Sequence, residues 1–239
     1  MHKPVYEERL VAYVDILGFS ELVESLGEKP EFHSRVLYAL TYIKFIGESS
    51  RTSNTAPNSL EVSVFSDSIA ITAEPQDTFA VLWACGWIQA HLLCSGILTR
   101  GGIAIGPTFH KEGILYGAGF LAAYRIETKA AVYPRIIVAP DVIDRLSVGM
   151  KRHFLDEDSD GLWFIDPFKF DEMAGDAAEL AADGYNPREV YFEEVGRRIA
   201  DELKKAKTVD HLAKWNWLSN RYKIASSKYF KNRETNTRH

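Results

Sequence analysis

The chain has 239 residues, 46% of them hydrophobic, which suffices for one domain of about 150–170 residues with its own core, plus an appendage. Its 28 basic residues against 33 acidic ones give a net charge of −5, which argues against nucleic-acid binding as its main task. Its two cysteines, Cys85 and Cys94, lie in an apolar run without metal-ligand spacing, so reduced core residues of a cytoplasmic protein are expected.

The first strand is expected over residues 9–15. Val11 to Val14 are apolar and β-compatible, as an interior strand requires, and Asp15 falls where that run ends. Gly18 permits a tight turn, and Ser20 is read as the N-cap of a helix over about 19–50, with Tyr38 and Tyr42 as core residues on it. An acid at a sheet rim, beside backbone N–H groups at a helix start, suits a divalent cation and the phosphates it carries.

Residues 51–59 are polar, include Pro57 and read as a loop. Two short strands follow, Leu60–Phe65 and Ile69–Thr72, joined through Ser66-Asp67-Ser68. Asp67 then stands at a hairpin tip. If the first strand pairs beside this hairpin, Asp15 and Asp67 approach each other and can share one or two magnesium or manganese ions.

Next come a helix over 77–96, a strand over 99–106, a helix over 117–128 and a strand over 135–139. The apolar stretch Phe79–Leu98 is interrupted by Gly86, Gln89, His91, Ser95 and Gly96, so it reads as a buried helix and not a membrane span. The opening residues show no secretory leader, in keeping with a cytoplasmic location. The βαββαβ order predicts an α+β fold with a ferredoxin-like core. From Asp171 the chain turns polar, so residues 1–170 are taken as the main domain and 171–239 as a helical appendage. Helices are expected at Arg188–Lys207 and Val209–Lys228, with Trp215 and Tyr222 packing the second one onto the core. The tail Lys231–His239 is expected to fray. None of the seven histidines pairs with another at the four-residue spacing of a helical zinc site.

Four stretches together resemble the class III nucleotide cyclases. They are Asp15-Ile16-Leu17-Gly18-Phe19-Ser20, Phe65-Ser66-Asp67-Ser68, Arg100-Gly101-Gly102-Ile103-Ala104-Ile105-Gly106-Pro107, and the run from Gly117 that ends Ala123-Tyr124-Arg125-Ile126-Glu127. The resemblance covers about residues 8–166. It implies that Asp15, Asp67 and the carbonyl of Ile16 hold two divalent cations, Mn2+ or Mg2+. It also implies that the backbone of Ile16, Leu17, Gly18 and Phe19 faces the triphosphate, and that Arg125 stabilises the pentavalent phosphate. In that family the metal site and the arginine come from different subunits, so a homodimer with composite sites is implied. Arg100 reads as a contact for a phosphate or a base edge, or equally as a structural ion pair.

The departures matter as much. Leu121 replaces the asparagine that holds the ribose, and Ser66 replaces a customary glycine. The positions that read a purine base are Ser63 and Ile114, which form neither the adenine pair nor the guanine pair. The stretch Asp156–Trp163 offers no phosphate-binding lysine. These features, with the compact Arg-Gly-Gly-Ile strand, are most similar to the bacterial Pycsar antiphage cyclases. That implies a pyrimidine substrate, UTP ahead of CTP, and a cyclic UMP or cyclic CMP product acting through a downstream effector. An adenylate or guanylate cyclase, or a cyclase-fold nucleotide-binding module without turnover, are the alternatives.

Overall fold

The computed structural model describes residues 6–24, 59–170 and 186–236, together with the single positions Ser34, Leu37 and Thr41. Of the helix expected over 19–50, Phe19–Glu24 (α1) and those three positions are helical. The rest of that helix, with Tyr38 and Tyr42, lies outside the described residues. So do the loop at 51–58 and the polar stretch 171–185.

The fold is α+β. Among the described residues, one sheet comprises β1 (Glu7–Ile16), β2 (Glu61–Phe65), β3 (Ser68–Ala73), β4 (Thr99–Lys111), β5 (Ile114–Gly117), β6 (Ile136–Val138), β7 (Leu155–Glu157) and β8 (Trp163–Ile165). Their order is β2-β3-β1-β4-β6-β8-β7, with β5 paired to β4. Among the described strands, only β4 and β6 pair in parallel. The remaining helices are α2 (Thr78–Cys94), α3 (Ala118–Ala130), α4 (Pro140–Ile143), α5 (Val148–Phe154), α6 (Pro187–Lys205) and α7 (Val209–Asn236).

Strand β1 is central and covered on both faces, which explains its near-continuous apolar run. Leu10, Val11, Ala12 and Val14 are fully buried. Helix α3 packs on the face that carries Tyr13, whose ring meets Phe120 and Tyr124 edge-on at 5.8 and 5.4 Å. Gly102, paired with Tyr13, allows that approach, because a Cβ there would stand 2.3 Å from the carbonyl oxygen of Ala123. The opposite face of the sheet, including Leu10, Ala12, Val14, Ile69 and Ile71, is fully buried in the core to which α2 contributes Val81, Leu82, Cys85, Ile88 and Leu92.

The β2–β3 and β4–β5 hairpins have two-residue loops. Phe65 pairs with Ser68, leaving Ser66 and Asp67 as the loop, and Ser66 takes φ +54°. A left-handed first residue matches the twist of the flanking strands and is where glycine is usually chosen. The second loop, Glu112-Gly113, has φ +53° and +78° and joins β4 to β5. The sequence reading ended β4 at Gly106-Pro107 and did not anticipate β5. Pro107 is tolerated because it falls between the β6 pairing at 101–103 and the β5 pairing at 108–111. Its missing N–H interrupts neither ladder.

Helices α6 and α7 are part of the same core. Tyr191, Phe192, Val195, Ile199, Trp215 and Leu218 are buried in one cluster with the sheet residues. Helix α7 runs to Asn236, past the end expected at Lys228. Once a long helix is nucleated against a core, each further turn costs little to add. No helix among the described residues is long and apolar enough to cross a membrane. Cys85 and Cys94 are free thiols, and burial pushes both up to about 12.

Candidate functional site

Asp15 stands one residue from the end of β1, opposite Ser68 of β3 and Arg100 of β4. Residues directly opposite one another share a face, so all three project from the Tyr13 side of the sheet. Asp67 is held beside them by its own backbone, whose carbonyl accepts the N–H of Ile16 at 3.0 Å. Two acids separated by more than fifty residues of sequence are thereby fixed at neighbouring strand ends.

The turn after β1 is partly committed. The N–H of Leu17 donates to the carbonyl of Leu98 at 2.8 Å. With Ile16 also engaged, the N–H groups of Gly18 and Phe19 remain without a partner among the described residues. They are the two of the four expected backbone donors that are free to face a ligand. Gly18 takes φ +72°, which an L-residue adopts only with strain. Ser20 lies inside α1 and is not its N-cap, since the helix already begins at Phe19.

The side chains form a chain of polar contacts. The Tyr13 hydroxyl donates to Ser68 Oγ at 2.8 Å, and Ser68 donates to Asp15 Oδ1 at 3.2 Å. Arg100 Nε lies 3.7 Å from Asp15 Oδ2 but 2.5 Å from Glu127 Oε1. Glu127 is 2% exposed and reaches the strand ends from α3. Arg100 is thus tied first to Glu127, and Asp15 keeps a weaker share of its charge. Burial pushes the Asp15 carboxyl above the usual range, and the neighbouring Asp67 charge adds to it; Arg100 and Ser68 oppose the shift without cancelling it. Burial likewise raises Glu127, against the opposing pull of Arg100. Burial also raises the Tyr13 hydroxyl.

The structure therefore gathers Asp15, Asp67 and Arg100 and adds Glu127, Ser68 and Tyr13. Glu127 carried a sequence signal as the last residue of the Ala-x-Arg-x-Glu run, but its pairing with Arg100 depends on the packing of α3 over Gly102. The other expected residues stand elsewhere. Arg125 is exposed on α3 and has no ion-pair partner among the described residues. Leu121 and Ile114 are 48% and 59% exposed. Ser63 is buried, with its hydroxyl 2.7 Å from His110 Nε2; His110 Nδ1 in turn lies 2.9 Å from Thr72 Oγ1. The Arg9 Nε–H donates to the same threonine oxygen at 3.2 Å.

The donor set suits a hard divalent cation. Asp15 and Asp67 are oxygen donors that repel each other, and the nearest arginine leans toward a third carboxylate. No group of three or more His, Cys, Asp or Glu among the described residues could hold a metal by itself. A cation here would need further oxygens from a substrate or water.

No protein-family model matches the chain, and no curated protein matches it. Among solved structures it is similar to two of a bacterial light-regulated adenylyl cyclase. The first alignment has 15% identity and a TM-score of 0.45, covering 80% of this chain and 59% of the other. The second has 15% identity and a TM-score of 0.42, covering 67% and 90%. The chain thus spans 59% of the length of the first structure. A likeness this loose carries no argument for activity, which rests on the residues of the site.

Proposed function

We propose that this chain is a divalent-cation-dependent nucleotide cyclase that converts a pyrimidine nucleoside triphosphate to its 3′,5′-cyclic monophosphate and pyrophosphate. The observation that carries this reading is the pair Asp15 and Asp67, held at adjacent strand ends beside the free N–H groups of Gly18 and Phe19. The strand order β4-β1-β3-β2 within the sheet supports the ferredoxin-like core expected for such an enzyme.

Asp15, Asp67 and the Ile16 carbonyl would hold the cations, Mn2+ or Mg2+. Bound there, they would supply acidification of the ribose 3′ hydroxyl and charge neutralisation on the triphosphate. The 3′ oxygen attacks the α-phosphorus as the bond to the β-phosphate oxygen breaks, and pyrophosphate leaves. Gly18 and Phe19 orient the outer phosphates through their N–H groups. Arg125 offsets the charge that grows on the α-phosphate, which is electrostatic and positional catalysis. Its exposure, and the lack of an ion-pair partner among the described residues, leave it available to a site on a second copy of the chain, and that supports a homodimer with two composite sites.

The pyrimidine preference rests on the absent purine readers. Ser63 offers neither the length nor the charge of the lysine or glutamate expected there, and its hydroxyl is already engaged by His110. The test is incubation of the purified protein with manganese and each ribonucleoside triphosphate separately, with products read by mass spectrometry. Cyclic UMP or cyclic CMP is the expected product. A cyclic purine would keep the mechanism and overturn the base assignment. No product from any of the four would overturn the enzymatic reading in favour of nucleotide binding without turnover.

A further inference from the structure

A line of buried polar side chains runs from Arg9 to Ser63, and three of its four members have no part in the chemistry above. Arg9 donates from Nε to Thr72 Oγ1 at 3.2 Å, Thr72 Oγ1 lies 2.9 Å from His110 Nδ1, and His110 Nε2 lies 2.7 Å from Ser63 Oγ. We propose, on the reading above in which the base lies against Ser63, that His110 is a specificity-determining positioning residue. It fixes the Ser63 hydroxyl as a hydrogen-bond donor and so selects uracil over cytosine.

A guanidinium only donates, so Thr72 Oγ1 accepts from Arg9, whose other nitrogens are tied to the Glu7 carboxylate and the Ser59 carbonyl. The Thr72 hydroxyl is fully buried and must place its own proton within the protein. The acceptor within reach is His110 Nδ1. Nδ1 therefore carries no proton, the neutral ring carries it on Nε2, and Nε2 donates to Ser63 Oγ. A doubly protonated ring would donate to Ser63 as well. Only a ring with its sole proton on Nδ1 reverses the direction, and it strands the buried Thr72 proton. Ser63 Oγ thus accepts from His110, and its own proton has no acceptor among the described residues.

Ser63 lies opposite Ala70, and Ala70 opposite Tyr13. Its side chain therefore shares the face of Asp15 and Ser68, about 7 Å along the strand from their row. Phosphates held at the strand ends leave the base to reach along that face. Uracil presents a carbonyl at position 4, where cytosine presents an amino group. A fixed donor pairs with the carbonyl. Against the amino group two donors meet, and both stay unpaired. A serine free to turn both donates and accepts, and would take either base. His110 removes that freedom, because turning the Ser63 proton inward would set it against the Nε2 proton.

The test gives the full chain manganese with equal UTP and CTP, and reads the ratio of cyclic UMP to cyclic CMP by mass spectrometry. The parent should favour cyclic UMP about tenfold or more. Ser63→Ala should lower that ratio about tenfold through loss of cyclic UMP. His110→Phe keeps a ring in place but frees the Ser63 hydroxyl, so the ratio should fall through a gain of cyclic CMP. A merely structural role for His110 would lower both products alike and leave the ratio where it was. A parent ratio near or below one would overturn this assignment alone, and so would a ratio that neither variant moves. No cyclic pyrimidine from the parent would overturn the proposed function, and this assignment with it. A melting curve accompanies each variant; should His110→Phe not fold, the Ser63→Ala ratio decides by itself.

Discussion

Two clusters of acids sit on one sheet and are treated in opposite ways. At the ends of β1 and β3, Asp15, Asp67 and Glu127 share the neighbourhood of Arg100, and burial and mutual repulsion push Asp15 and Glu127 up. At the far edge three acids are tied to two arginines. Arg135, 1% exposed, pairs with Asp158 at 2.5 Å and with Asp160; the Trp217 indole N–H also donates to Asp158 at 2.7 Å; and Arg221 pairs with Asp156. There the Arg135 hydrogen bond holds Asp160 down; burial would raise Asp156, but Arg221, the Glu157 N–H and Lys169 together hold it down. The far edge is arranged to stay folded and to hold α7 against the sheet. The strand ends keep charge in a costly state, the pattern expected where a ligand is to supply the missing cation.

The contrast is broken most forcefully at the strand ends. Asp15→Ala and Asp67→Ala should each cut turnover by about a thousandfold or more, while the melting temperature stays level or rises because a repulsive pair is removed. Cyclic product per folded protein, read beside a melting curve, checks this; a near-normal rate in either variant would sink the two-carboxylate assignment. The reciprocal variant is Arg135→Ala. It strands two acids near a buried cavity and should cost about 3–5 kcal/mol in denaturant unfolding, with turnover per folded molecule unchanged. A loss below about 1 kcal/mol would show that the far-edge pairs do not hold the fold.

Glu127→Gln sharpens the picture at smaller cost. Freed from Glu127, Arg100 should turn to Asp15 and raise the manganese concentration needed for half-maximal rate by about ten- to a hundredfold. An unchanged manganese requirement would make Glu127 a packing residue only. The smallest effect is in pH. In EDTA, groups such as Asp166, raised by burial, take up protons in the folded chain before the unfolded chain does. Stability should therefore rise as pH falls from 7 toward 5. Below about pH 4 the sign reverses, because Asp156 and Asp160 stay ionised in the fold while the unfolded chain binds protons. A melting temperature that falls steadily from pH 7 would contradict this balance.

What could be read from the sequence was local. Asp15 is marked by the end of an apolar run and Asp67 by a short hairpin, and both signals fit within about ten residues of chain. The Ser66-Asp67 loop was one residue shorter than expected because Ser68 joins β3. What could not be read depends on distant partners. The four backbone donors of Ile16 to Phe19 looked alike in the sequence, and only Asp67 and Leu98, brought in by folding, distinguish the engaged pair from the free pair. Ser63 could be placed on a strand but not beside His110, because β5 and the extension of β4 were hidden behind Pro107. The acids of Asp156–Trp163 were noted for lacking a lysine, while their partners Arg135, Trp217 and Arg221 lie in other elements.

The hydrogen bond from Ile16 to the carbonyl of Asp67 has a consequence for timing. Because the same residue supplies the carbonyl and the carboxylate, the spacing of the two acids is set by the backbone before any nucleotide arrives. Solvent deuterium should reach the Ile16 amide only when β1 and the hairpin separate, so its exchange clock should run with the core strands and not with the Gly18 turn beside it.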